Sequence, residues 1–253
     1  MIERSQDSYD LKAILAPGLI LALPLLVDAV YAAPNLSGWL LFAAGGTCGL
    51  GLIYGFGRFA CARGNAIEPE LWRQWGGEPA TRLLRHHDSH FGDDVKEAVR
   101  NALAKEFSLK LPNPNEEAIN ADRDDKAIVD AYQKVRHYLR LHDPDGLWKK
   151  HNAKYGFRRN LLGCRSAWAV VALAATVFAA MYAVNTGAGL LNPASAIGFL
   201  SFIAAVYIGW AILPDATKRS ADGNAETAWM SFLRHILQLR SYKHKRCSLD
   251  KWS

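Results

Sequence analysis

Apolar and polar positions are segregated along this chain rather than mixed. Four uncharged or nearly uncharged apolar runs stand out, Ala13 to Ala33, Gly38 to Gly57, Ser166 to Val184 and Ala196 to Leu213. A helix needs about 20 residues to cross the hydrocarbon of a bilayer, and each run approaches or reaches that length. Asp28 is the only Asp, Glu, Lys or Arg within them. The intervening segments show the periodicity of water-exposed helices instead. A short helix is expected over Glu68 to Trp75, opened by Glu68-Pro69 and stopped by Gly76-Gly77. Pro79 starts a second, running to about His87. Gly92-Asp93 caps a third, in which Val95, Ala98, Val99, Ala102, Leu103 and Phe107 recur at helical spacing. Leu111 to Asn115 reads as a proline-punctuated turn. A fourth helix runs from about Ala121 to Leu141, with its apolar stripe at Ile128, Ala131, Tyr132, Val135, Tyr138 and Leu139. Past the last apolar run, Ala225 to Leu239 is amphipathic, with Trp229, Phe232, Leu233, Ile236 and Leu237 on one face and the basic run Tyr242 to Arg246 behind it. Such a helix can lie on an anionic leaflet or pack on the polar domain. No strand alternation appears, so no sheet is expected.

The expected fold is therefore an all-α membrane protein with four transmembrane helices in two hairpins. The expected layout is an N-terminal stretch 1–12, a hairpin 13–57, a helical domain 58–165, a second hairpin 166–213 and a basic tail 214–253 carrying the amphipathic helix. Composition adds orientation. Half the chain is hydrophobic, yet the net charge is +6. All thirty Lys and Arg fall outside the runs and their short links: two before the first run, twenty in 57–165 and eight after Leu213. The links Pro34 to Ser37 and Asn185 to Ser195 have none. The positive-inside rule then places both termini and the central domain in the cytosol. A cleaved signal peptide is the rival reading of the first run, with Val30-Tyr31-Ala32 a loose cleavage site. The acidic residues Glu3, Asp7 and Asp10 before it, and its length, argue against that. Cys61, Cys164 and Cys247 would face the reducing cytosol and Cys48 a span, which is no disulfide framework.

Within the spans, Pro17 and Pro24 mark bends in the first. The second carries Gly45 with Gly49 and Gly51 with Gly55, small residues at four-residue spacing that let helices approach closely, either within the subunit or between subunits. Trp39, Trp168, Tyr182 and Trp210 sit near span ends, as interface aromatics do. Asp28 is either a pore-lining or gating carboxylate or an interfacial bystander near the outer end of its span. The densest polar group outside the spans is Arg82, Arg85, His86, His87, Asp88, His90, Asp93 and Asp94. Its His and Asp residues could ligate a metal, or they could cap helix ends. Lys149 to Arg165 interleaves bases with Trp148, Tyr155 and Phe157, which suits lipid headgroups first and a nucleotide second. No phosphate-binding glycine loop, dinucleotide fingerprint or nucleophile elbow occurs. No cofactor, no metal and no nucleic-acid partner is expected.

Two strings carry a resemblance. Leu71 to Asp88 contains Trp75-Gly76-Gly77-Glu78-Pro79-Ala80-Thr81 and Leu84-Arg85-His86-His87-Asp88, and a second string reads Tyr155-Gly156-Phe157-Arg158-Arg159-Asn160-Leu161-Leu162-Gly163. Together they resemble an uncharacterised family of bacterial four-span membrane proteins with no established activity. The resemblance implies that fold and the bacterial inner membrane. The two strings flank the central domain and would meet at its base, which makes Trp75, Arg82, Arg85, His86, Asp88, Tyr155, Arg158, Arg159 and Asn160 candidate sensing or coupling positions. The layout is similar to membrane effectors of antiphage systems. The leading expectation is thus an oligomeric, channel-like membrane effector whose helical domain senses a cytosolic protein or nucleotide. The alternatives are a membrane scaffold that recruits a cytosolic partner, and a membrane enzyme using the His86 to Asp94 cluster.

Overall fold

A computed structural model describes residues 11–32, 38–144, 146–187, 189 and 192–249, with the backbone alone described for 38–45, 121–122 and 240–249. Every regular element among the described residues is helical, and there is no strand. A π-helical turn Leu11–Leu15 leads into α1 (Ala16–Ala32). The rest are α2 (Gly38–Gln74), α3 (Pro79–Leu84), α4 (Asp93–Phe107), α5 (Pro114–Ile119), α6 (Ala121–His142), α7 (Leu147–Gly163), α8 (Arg165–Thr186), α9 (Pro193–Tyr207), a second π-helical turn Ile208–Ile212, and α10 (Leu213–Leu249). Among the described residues, three helical stretches are long and apolar enough to cross a membrane: Leu11–Ala32, Arg165–Thr186 and one beginning at Pro193. The second apolar run forms the first part of α2, where side chains are described only from residue 46.

The chain divides into two compact units, one comprising 1–70 and 153–220, the other 71–152 and 221–253. Their interiors are built on opposite rules. In the first unit the buried residues of α8 are Trp168 near its start and then Ala169, Ala172, Ala175, Ala179 and Ala183, recurring every three or four residues. Facing it on α9 are Ala194, Ser195, Gly198 and Ala205. A methyl group on Gly198 would lie 2.7 Å from Thr176 Oγ1, so the two helices touch through their smallest residues. The large side chains point outward: Val170, Val177, Phe178, Met181, Phe199, Leu200 and Ile203 are all exposed. Small inside and large apolar outside is the packing of helices in lipid, where burying Leu against Leu gains nothing over leaving it in acyl chains. In water an apolar belt of this kind would be an aggregation surface.

The second unit reverses this. Its core is Leu83, Leu84, Val99, Leu103, Ile128, Val135 and Leu139, closed by Trp229 and Phe232 of α10, all fully or nearly fully buried. This is the close-packed interior of a water-soluble bundle. Trp229 is anchored further, its indole N–H donating to Ala80 O at 3.1 Å. The amphipathic face of α10 therefore packs on the domain through Trp229, Phe232 and Ile236, while Leu237 stays exposed.

Several local expectations are corrected. No separate helix begins at Glu68: α2 runs through Pro69 to Gln74. Proline's fixed φ is helical, and the cost is one missing donor to the preceding turn, not a break. Gly76 (φ +84°) and Gly77 (φ +128°) do end it, as expected, in backbone conformations that side chains rarely adopt. Helix α3 stops at Leu84 rather than near His87. Arg85 turns extended (ψ 146°), and the His86 amide donates to Glu117 instead of extending the helix. Within the expected turn Leu111 to Asn115 a short helix, α5, begins. Asn113 caps it and Glu116 returns the bond, with Pro114 at the first position, a capping box readable in the sequence. The basic-aromatic stretch before the third apolar run is itself a helix, α7.

Candidate functional site

The first unit holds a buried polar junction formed largely by the second sequence string. Asn160, on α7, is fully buried. Its Nδ2 donates to Ala13 O at 2.7 Å. Ala13 lies in the π-helical turn, and such turns leave carbonyls that the ordinary α-helical ladder does not use. Asn160 Oδ1 accepts from Arg159 Nε and NH2 at 3.3 and 3.1 Å. The same guanidinium donates through NH1 to Glu68 Oε1 of α2 at 2.9 Å, and Tyr155 OH donates to that oxygen at 2.7 Å. Arg158 turns the other way, donating to Ala216 O and Ser220 Oγ of α10 at 2.9 and 2.7 Å. Tyr155, Arg158, Arg159 and Asn160 thereby tie α7 to the π-helical turn before α1, to α2 and to α10. A buried guanidinium whose N–H groups are met by a carboxylate and an amide oxygen is the arrangement in which such a charge is sustainable.

The junction exists because glycines let backbones touch. A Cβ on Gly64 would lie 2.3 Å from Asn160 Oδ1, and one on Gly163 2.6 Å from the Gly64 amide nitrogen. A Cβ on Gly18 would meet Ile53 O at 2.1 Å and one on Gly57 Ile14 O at 2.6 Å. The contacts of α2 are thus made at Gly57 and Gly64. Of the glycines singled out by spacing, a Cβ on Gly49 would lie 3.4 Å from Leu26, whereas one on Gly51 or Gly55 would meet nothing within 4 Å among the described residues. The surroundings of Gly45 lie outside the described residues, as do the side chains of Trp39 and of the basic run Tyr242 to Arg246. Asp28 is only 5% exposed, and neither carboxylate oxygen has a hydrogen-bond partner among the described residues.

The second unit holds a clasped loop, residues 85–92, built on the first string. Arg85 forms a bidentate pair with Asp125 of α6, Nε to Oδ1 at 2.8 Å and NH2 to Oδ2, and its NH1 donates to Gly76 O at 2.8 Å. The Asp125 hydrogen bonds raise the Arg85 pKa further above its ordinary value. Gly77 has no side chain to displace that guanidinium, which lies 2.9 Å from where a Cβ would stand. Trp75 is half-buried and enters through its backbone, its N–H reaching Leu71 O and Trp72 O. Arg82 bridges Asp88 at 3.1 Å and Asp222 at 2.7 Å. Glu117 accepts from the His86 amide and pairs with His87 Nδ1 at 3.0 Å, with Arg100 NH2 at 3.9 Å. Lys96, nearly fully buried, holds the loop from beneath by donating to His86 O at 3.0 Å and to Asp88 O. His90 pairs with Glu226 at 3.2 Å.

The histidines and Asp88 are therefore taken up in holding a loop, and among the described residues no three His, Cys, Asp or Glu are placed to share a metal ion. The strongest holders, Lys96, Arg100, Glu117 and Asp125, were not singled out from the sequence. Glu117 lies 31 residues from His86, and no spacing rule connects them.

Beside this clasp Asp124 is buried, and its Oδ2 has no hydrogen-bond partner among the described residues. Burial, with Glu117 and Glu116 adding to it, pushes its pKa above the ordinary 3.8. A raised acid favours the fold fully below the unfolded pKa, and that contribution is lost as pH rises through the folded one. Asp124→Asn should therefore unfold at a higher temperature than the parent at pH 7, and the difference should vanish near pH 3.5. Thermal unfolding of the detergent-purified full chain at both pH values measures this. An equal offset at both would contradict the assignment.

Compared with protein-family models, curated proteins and solved structures, the chain matches none.

Proposed function

We propose that this chain is a four-span protein of the bacterial inner membrane, with both termini and the soluble-type helical unit in the cytosol. It acts as an oligomeric, channel-like effector. The helical unit senses a cytosolic protein or nucleotide, and the spans respond by gating or perturbing the membrane, in a role of the kind antiphage effectors play. One observation carries this reading. The chain passes between its two compact units at residues 70–71, 152–153 and 220–221, and all three passages fall inside helices, α2, α7 and α10. Helices unbroken through a boundary transmit displacement better than flexible linkers do. The same three helices, with the turn before α1, are bonded together by Tyr155, Arg158, Arg159 and Asn160, so a shift in one is felt by the others.

Asp28 is the gating candidate in this scheme, a buried acid in an apolar helix with no hydrogen-bond partner among the described residues. Ionisable groups at such depth are expensive and mark permeation paths. The test is the particle mass of the full chain in nanodiscs, with planar-bilayer conductance on the same preparation. A ring-sized oligomer that conducts, with conductance altered several-fold by Asp28→Asn, supports the effector reading. A monomer or dimer that stays silent with cytosolic extract present would sink it. A scaffold that recruits a cytosolic partner is the second reading. It is favoured by an open apolar trough of about 390 Å³ on α10, lined by Met230, Leu233, Arg234, Leu237 and Gln238.

A further inference from the structure

We infer that Arg165 and Trp210 form a clamp for the phosphodiester headgroup of an anionic membrane phospholipid, an inference that rests on the membrane reading above but not on channel activity. Arg165 opens α8, and Trp210 lies in the π-helical turn that follows α9. Because α8 and α9 form a hairpin, the two residues stand at the same end of it. The guanidinium carbon lies 5.0 Å from the centre of the Trp210 ring. Gly209 makes the approach possible, since a Cβ there would stand 3.0 Å from Arg165 Cβ.

The guanidinium is half-buried and has no acidic partner among the described residues. NH1 makes one long bond, 3.4 Å, to Gly209 O. Nε and NH2 have no protein acceptor among the described residues. The sequence from 165 to 212 contains no Asp or Glu. A cation held at the end of an apolar hairpin calls for an anion, and the anions at that depth are lipid phosphates. A planar guanidinium with two adjacent free N–H groups matches two phosphate oxygens. Trp210 is 46% exposed, so its indole is open to the headgroup layer that such rings favour. The site is distinct from the junction, whose arginines are consumed by Glu68, Asn160, Ala216 and Ser220.

The experiment is native mass spectrometry of the full chain released from nanodiscs of mixed phosphatidylglycerol and phosphatidylcholine. Retained phosphatidylglycerol should exceed retained phosphatidylcholine and fall roughly five- to tenfold in Arg165→Gln. Arg165→Lys, which keeps charge but not the planar fork, should fall between. Arg219→Gln, at an exposed arginine of α10, should change little. Equal retention in Arg165→Gln and parent would overturn the clamp, as would an equal loss in Arg219→Gln, which would mean diffuse charge attraction. Displacement by millimolar inorganic phosphate would identify a free-anion site and overturn the lipid assignment. A chain that fails to enter nanodiscs would overturn the membrane reading itself, whereas one that enters without preferring phosphatidylglycerol overturns only the clamp.

Discussion

Gly64→Ala is expected to destabilise the protein by on the order of 3 kcal/mol or more, although it adds a single methyl group. That methyl would stand 2.3 Å from Asn160 Oδ1 and 2.8 Å from Asn160 Cα. The second contact is with backbone, so no rotamer change relieves it. Helices α2 and α7 must separate, and separation breaks what their closeness allows. Asn160 would withdraw from Ala13 O, leaving the carbonyl of the π-helical turn and the Arg159 guanidinium with unmet valences in a buried site. The Glu68–Arg159 pair would then be partly broken, which is far more costly than never having had it. Gly55→Ala is the internal comparison. It makes the same change on the same helix with nothing within 4 Å, so its effect should stay within about 0.5 kcal/mol. Thermal unfolding of both variants in detergent, with tryptophan fluorescence as readout, tests the pair. Equal midpoints for Gly64→Ala and the parent would show that the junction is not packed as described.

The contrast between these two glycines bears on how much a sequence can reveal. Gly45, Gly49, Gly51 and Gly55 were selected by spacing, and spacing reports which residues share a helix face. It does not report which face meets a neighbour. The glycines that touch, Gly18 with α2 and Gly64 with α7, are single positions on different helices, and their pairing is a property of the assembled unit. The apolar runs were legible because hydrocarbon imposes a length and excludes charge along one continuous segment. Helices α4 and α6 were legible because their stripes and end signals are local. The continuity of α2 through Pro69 was not, since whether a proline ends a helix depends on whether packing holds the turn before it. The π-helical turns were not, and each offers a carbonyl to a side chain from another helix, Ala13 O to Asn160 and Gly209 O to Arg165, a pairing no local signal announces. The second string was marked by resemblance, and its four polar residues are found bonded to three different helices. Nothing in their order indicated Glu68, Ala13 or Ser220 as partners.

Glu117→Ala should be strongly damaging to the soluble-type unit, with a loss of about 3 kcal/mol. Its carboxylate is nearly buried and accepts from the His86 amide through both oxygens, at 3.1 and 3.0 Å. Removing it leaves that amide without its acceptor and strips the half-buried Arg100 of its nearest carboxylate, 3.9 Å away. Arg100 already carries the penalty of burial, which lowers its pKa below the ordinary value. Glu117→Gln should fall between parent and alanine, because an amide oxygen can still accept from His86 but offers no charge to Arg100. The outcome is also spatially specific. Lys96 and Arg85 would still hold parts of the 85–92 loop, so hydrogen exchange should accelerate first at His86 and its neighbours and leave the α6 core around Val135 and Leu139 protected. Exchange rising uniformly across the unit would mean that Glu117 supports the bundle as a whole and not the loop. Exchange unchanged at His86 would mean that the loop is held by Lys96 and Arg85 alone. If the sensing role proposed for this unit is right, the local outcome has a functional counterpart. With the loop loosened at His86, Arg85 would become, through Gly76 O and Asp125, its main remaining tie to the glycine turn that ends α2, one of the three helices that run between the units.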